Sequence, residues 1–227
     1  VLQAQVRDRA RVVQVGIAGA KEADAAAARI VRALGVPYAI DGASLPAGAS
    51  IGIAIGPADG VDGPALLQRA DIALYRAKAS GRGQVRRFST AMAAALIDQR
   101  RLESDVQQAL DTGELHFAYQ PKFRLSDLAF SGCEALLRWT HRTRGVVPPS
   151  VFVPAAERAG LSVRLARATL AMALRQQQAW RAEGLDIAVA VNLSARHIVS
   201  GQAPDLLREA LAATGAPAEG VEVEVTE

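Results

Sequence analysis

The chain has 227 residues, with 26 Lys and Arg against 23 Asp and Glu, a formal charge of +3. Half of its residues are hydrophobic and 22% are charged, which supports packed globular structure and excludes wholesale disorder. Only 3 of the basic residues are lysine and 47 residues are alanine, a compositional bias that weakens any argument from arginine content alone.

Four per cent aromatic residues is thin for stacking single-stranded nucleic acid, and no Lys/Arg stripe or reading motif is present, so a nucleic acid polymer is set aside as partner. One cysteine, Cys133, excludes an intrachain disulfide framework and a cysteine-based zinc cluster. No stretch approaches the roughly 18 apolar residues of a membrane span, and the N-terminus lacks the pattern of a secretory signal. The expectation is a cytoplasmic chain, or the cytoplasmic part of a larger membrane-attached sensor. At roughly 150 residues per domain the length allows one large domain or two smaller ones. Charge favours two parts: residues 1–88 carry 12 basic and 7 acidic side chains, and residues 89–227 carry 14 and 16.

In chain order, Glu22 to Leu34 predicts a helix, with Ala27, Ile30, Val31 and Leu34 at helical spacing and Gly35 and Pro37 stopping it. GASIGIAIG (48–56) predicts a short strand, and Pro64 to Ala79 an amphipathic helix with Leu66, Leu67, Ala70, Leu74 and Ala77 on one stripe. Thr90 to Leu110 predicts a long connecting helix, broken by Asp111-Thr112-Gly113. From there strands are expected at 115–123, 128–139, 185–194 and 221–227, with helices over Ser162–Glu183 and Ala203–Ala213. Apolar strands separated by helices predict a parallel sheet, either a barrel or a doubly wound sheet.

Polar residues close these strands: Gln120 and Lys122 after LHFAY, Glu134 after AFSGC, Asn192 after IAVAV, Glu224 and Glu227 in VEVEVTE. In a parallel barrel the C-terminal strand ends converge on one mouth. Three convergent oxygen ligands, Glu134, Asn192 and Glu224, would suit Mg²⁺ or Mn²⁺. From spacing alone the commoner reading is polar residues capping loops at strand ends. Lys122 fits an ion pair at the mouth as readily as a ligand contact. His116, His141 and His197 are expected to be structural or solvated, His141 in the loop HRTRG. Cys133 is expected to be a small buried hydrophobe.

The strings YQPK (119–122), GCEALLRW (132–139), GVVPPSVFVPAAERAGL (145–161), VAVNLSA (189–195) and EVEVTE (222–227) resemble, in order, the motifs of EAL-domain cyclic-di-GMP phosphodiesterases. ASIGIA (49–54) and ADIALYRAKASGRG (70–83), with Phe88, resemble the C-terminal half of a GGDEF domain. The resemblance implies a partial TIM-like (β/α) barrel of the EAL type preceded by a partial α/β GGDEF-like domain. Its implied parts are a degenerate GGDEF-like segment at 1–88, a connector helix at 89–112 and the N-terminal half of an EAL domain at 113–227.

By the same resemblance Glu134, Asn192 and Glu224 are metal ligands, and Glu227 steadies a catalytic loop. Gln120 and Arg138 contact the dinucleotide, and Pro154 and Glu157 lie on a loop lining the guanine site. Arg138 also has a guanidinium fork suited to a bridging phosphate. The implied activity is Mg²⁺- or Mn²⁺-dependent hydrolysis of cyclic-di-GMP to linear pGpG, with a homodimer formed through the EAL domain. The alternative is a catalytically inactive cyclic-di-GMP receptor or scaffold.

Two departures matter. The later EAL motifs are not in the sequence, so residues 101–227 are expected to supply about four strands and no turnover by themselves. No GGDEF string occurs, and Gly83 stands where that family usually has Asn, so no cyclase activity is expected.

Overall fold

The computed structural model describes residues 10–226. The chain divides between Ile97 and Asp98 into two compact units.

In the first unit, helix α1 (Ala20–Leu34) precedes a hairpin of β1 (Tyr38–Ile40) and β2 (Ala43–Leu45). Asp41 and Gly42 turn it with positive φ values of 50° and 79°, the backbone that an Asp-Gly pair favours between antiparallel strands. The dipeptide was a readable signal, but the hairpin is absent from the sequence-based expectation. Strand β3 (Ile51–Ile53) follows, shorter than the stretch 48–56, then helix α2 (Gly63–Ala79) and strand β4 (Val85–Arg87), which pairs parallel with β3. Asp62 caps α2 by accepting from the Ala65 amide at 2.7 Å. At Gly52 a Cβ would lie 2.1 Å from the carbonyl oxygen of Ala70, so only glycine lets β3 lie this close to α2.

Helix α3 (Thr90–Thr112) contains the division between the units. Its second half is not a bare connector: Leu102, Val106 and Ala109 are buried in the core of the second unit.

That unit continues with β5 (Leu115–Phe123), β6 (Phe130–His141), β7 (Gly145–Val147), α4 (Pro149–Arg158), α5 (Ser162–Ala182), β8 (Val189–Ser194), α6 (Ala195–Val199), α7 (Ala203–Thr214) and β9 (Val221–Thr226). The sheet runs β5-β6-β8-β9, with β7 beside β6. β6, β8 and β9 are parallel, as expected of strands joined through helices. β5 instead runs antiparallel to β6, a correction to the all-parallel sheet. The link from Phe123 to Phe130 is too short for a crossover, so the two strands form a hairpin.

Alternation along each strand separates two faces. Cys133, Ala135, Val189, Val191 and Leu193 pack against Leu170, Ala173 and Leu174 of α5 and Leu206 and Ala210 of α7. Trp139, wholly buried, packs edge-on against Phe152 of α4 at 5.7 Å and donates its indole N–H to Glu114 at 3.1 Å. The opposite face carries His116, Ala118, Gln120 and Lys122 on β5 and, across from them in register, Arg138, Leu136, Glu134 and Gly132 on β6. This face is concave: Lys122, on one edge strand, bonds to Glu222 and Glu224 of β9 on the other.

Candidate functional site

Register sets the site. Glu134 of β6 lies opposite Gln120 of β5 and Ala190 of β8, and Asn192 of β8 lies beside Glu224 of β9. Because side chains alternate faces, Glu134, Asn192 and Glu224 emerge on the same concave surface from three neighbouring strands. The Asn192 side-chain amide donates to Glu134 Oε1 at 2.6 Å, and Glu224 accepts from Lys122 Nζ at 3.3 Å. All three proposed ligands are half-buried.

Backbone glycine holds this arrangement together. Gly132 has φ +142°, and a Cβ there would sit 2.6 Å from the Ala188 carbonyl oxygen. That same carbonyl accepts from the Cys133 amide at 2.8 Å, which locks β6 to β8 one residue before Glu134.

A cavity of about 490 Å³ opens beside Asn192, lined among others by Arg138, Pro154, Glu157, Ser162 and His197; Glu134 and Glu224 are not among its lining residues. Its walls are largely aliphatic, including Leu165 and Ala166 of α5, the lining of a site that takes a flat organic group. Arg138 donates to the carbonyl of its neighbour Leu137 at 3.0 Å, and among the described residues its guanidinium meets no carboxylate. It is a cationic fork still able to grip an anion. Glu157 supplies the opposite charge across the cavity wall.

Pro154 and Glu157 require a correction: they stand on helix α4, not in a loop. Pro149 occupies the first turn, where its missing N–H costs nothing, and Pro154 lies inside the helix. Gln120 is exposed on β5 opposite Glu134 and is not among the cavity's lining residues. Glu227 falls outside the described residues.

The histidines take structural places. His197 is 3% exposed, its Nε2 at 2.9 Å from the Ser162 hydroxyl and its Nδ1 at 3.3 Å from Gln202 Oε1. This pair, which pins α6 to the start of α5 at the cavity wall, was not foreseen from the sequence. His141 ends β6 rather than lying in a loop; its Nδ1 accepts from the Thr143 and Arg144 amides and its Nε2 faces Asp105 at 3.3 Å. His116 is exposed.

Two ionisable groups near the site are shifted by burial. Desolvation pushes the Tyr119 phenol up to about 12, and it raises the Cys133 thiol against a smaller opposing pull from Lys122. Cys133 is thus a packed neutral thiol, not a nucleophile.

Among the described residues no three His, Cys, Asp or Glu side chains form a metal-binding group. The donor set on the concave face is two carboxylates plus one amide, all oxygen donors of the kind a hard divalent cation takes. The residues present fit such an ion. Among the described residues, no helix is long and apolar enough to cross a membrane.

Comparison with known proteins agrees with the fold of the second unit. The EAL domain family matches residues 103–227, and the diguanylate cyclase GGDEF domain matches residues 12–84. The chain is 36% identical over 236 residues to MucR of Pseudomonas aeruginosa, a bifunctional diguanylate cyclase/cyclic di-GMP phosphodiesterase, covering 100% of this chain and 34% of the relative. It is 35% identical over 204 residues to the cyclic di-GMP phosphodiesterase PdeR of Escherichia coli, 90% of this chain and 31% of that one. An uncharacterized signalling protein of Caulobacter vibrioides is 38% identical over 218 residues, 95% of this chain and 27% of the other. The chain thus spans about a quarter to a third of the curated relatives it matches.

Among solved structures, the PaMucR phosphodiesterase in complex with c-di-GMP superposes with a TM-score of 0.52 at 38% identity, covering 56% of this chain and 52% of that one. The FimX EAL domain of Xanthomonas citri in complex with c-diGMP gives a TM-score of 0.51 at 26% identity, over 60% and 52% of the two chains.

Proposed function

The chain belongs to the EAL-domain family, and from that premise we propose that it supplies the nucleotide cavity and the first metal ligands of a cyclic-di-GMP phosphodiesterase. The observation that carries the reading is the convergence of Glu134, Asn192 and Glu224 on one concave face, with Asn192 also lining the cavity that Arg138 edges.

Glu134, Asn192 and Glu224 would hold Mg²⁺ or Mn²⁺. When bound, divalent cations supply activation of an attacking water and stabilisation of the leaving oxygen at one phosphodiester. Arg138 forks onto a phosphate of the dinucleotide. Gln120 approaches the nucleotide from β5. Glu157 accepts N–H donors of a guanine edge, while Pro154 packs against its ring. Water adds across a single P–O ester bond, which opens the ring to linear pGpG. Glu227 steadies a catalytic loop.

The functional parts are a GGDEF-like segment at 1–88, a connector at 89–112 and the EAL part from 113 onward. No cyclase activity is assigned to the GGDEF-like segment, whose sequence lacks the GGDEF string. The protein acts in the cytoplasm and pairs as a homodimer through the EAL domain.

The test is product analysis by chromatography, on the complete protein that carries these residues, with cyclic-di-GMP and Mg²⁺ or Mn²⁺. Conversion to pGpG supports the proposal. Retention of the nucleotide without conversion overturns the enzyme reading and makes the protein a receptor.

A further inference from the structure

Lys122 does something the proposed chemistry leaves unused. It starts on β5, one row below Gln120 and Glu134, and reaches across the concave face to β9. There its ammonium bonds to Glu222 and, at 3.3 Å, to Glu224. Lysine is a cation at neutral pH, and both carboxylates pair with it directly, Glu222 the more closely.

The pair is not sealed in. The Lys122 side chain is 32% exposed and that of Glu224 40%, so an incoming ion can reach both partners. An ammonium and a divalent cation at Glu224 require the same carboxylate lone pairs, and two cations a few ångströms apart repel. Glu222 has a separate part. It points to the same face, makes the stronger claim on the ammonium, and is not one of the proposed ligands.

The geometry points to Lys122 as a resident counter-cation of the metal site: its ammonium bridges Glu222 and Glu224 until a divalent ion displaces it from Glu224 and leaves it on Glu222, and this exchange sets the metal affinity. The inference rests on Glu134, Asn192 and Glu224 forming that site.

The experiment is titration of the complete protein with Mn²⁺ alone, free ion being read by electron paramagnetic resonance. Lys122→Met is expected to bind Mn²⁺ about ten-fold more tightly, and Lys122→Arg to stay close to wild type. Glu222→Gln is expected to weaken Mn²⁺ binding about three-fold, because the ammonium then has only Glu224 to hold. That weakening must vanish in the Lys122→Met background, as a double-mutant cycle requires of coupled groups. Arg167→Met removes the same charge from the outer pair with Glu209 and is expected to shift the affinity less than about two-fold.

Lys122→Met binding Mn²⁺ no more tightly than wild type overturns the inference, as does an equal gain in Arg167→Met. Glu134→Ala separates the two readings. If it loses Mn²⁺ binding while Lys122→Met changes nothing, the exchange is wrong and the metal site stands. If Glu134→Ala binds as wild type does, the metal site itself is wrong and the inference falls with it.

Discussion

Replacing Gly132 with alanine is expected to unfasten the strand that carries Glu134. The backbone there has φ +142°, which costs an L-residue about 1–3 kcal/mol. The added Cβ would lie 2.6 Å from the Ala188 carbonyl oxygen and 3.1 Å from the Ala188 Cβ. Neither neighbour is the free end of a flexible side chain, so β6 and β8 must separate. Separation stretches the 2.8 Å bond from the Cys133 amide to that carbonyl, worth about 1 kcal/mol net. Overpacking adds about another 1–3 kcal/mol. The sum is a loss of about 3–7 kcal/mol, a large part of the stability of an ordinary domain.

Both tryptophans, Trp139 and Trp180, lie in the second unit, so urea unfolding followed by their fluorescence reports on that unit. The expected result is a midpoint shift of that size with the slope unchanged. A Gly132→Ala protein within about 1 kcal/mol of wild type would refute the reasoning. It would mean that the strands slide at no cost and that the Glu134–Asn192 spacing is not fixed by the backbone.

Phe152→Ala, at a wholly buried side chain packed on Trp139, is expected to cost about 3–5 kcal/mol in the same assay. Gln177 is fully buried and donates to the Glu219 carbonyl at 3.2 Å, but its Oε1 has no partner. Gln177→Met removes both the bond and the orphan, so it is expected to change stability by less than about 1 kcal/mol. Tyr119 and Cys133 both have folded pKa values raised above their unfolded ones, so the folded state keeps protons that the unfolded chain releases. Their contribution is fully present below the ordinary thiol and phenol values of 9.0 and 10.0 and is lost as pH climbs toward 12. The urea midpoint is therefore expected to fall between about pH 9 and 12, and the fall to be smaller in Tyr119→Phe; equal falls would refute it.

The elements easiest to read from the sequence were those with strong period and clear punctuation. β5 was placed at 115–123 and helix α5 from Ser162, because alternation in the first and a continuous apolar stripe in the second leave no other fit. Helix α4 was missed because PPSVFVP, with three prolines in seven residues, has the look of a loop; tolerance at the first turn hides in the geometry, not the composition. The antiparallel β5–β6 pairing was legible in the short link between them, yet alternation with later helices suggested a parallel sheet throughout.

Within the site, Glu134, Asn192 and Glu224 could be read along the chain as polar interruptions of apolar strands, but they lie within β6, β8 and β9, Glu134 in the middle of β6, rather than at the strand ends expected. Their order across the sheet could not, since register between strands depends on partners far apart in sequence. The reach of Lys122 to β9 depends on sheet curvature, which no local pattern encodes.

The most direct measurement is the rate of cyclic-di-GMP hydrolysis by the complete protein and its Glu134→Gln variant, at Mn²⁺ concentrations that saturate the wild type. Glutamine keeps the shape and the Asn192 neighbour while removing the charge, so the account predicts a loss of at least about a hundred-fold in rate. A Glu134→Gln protein that hydrolyses the dinucleotide as fast as wild type would contradict a metal site built on Glu134, Asn192 and Glu224.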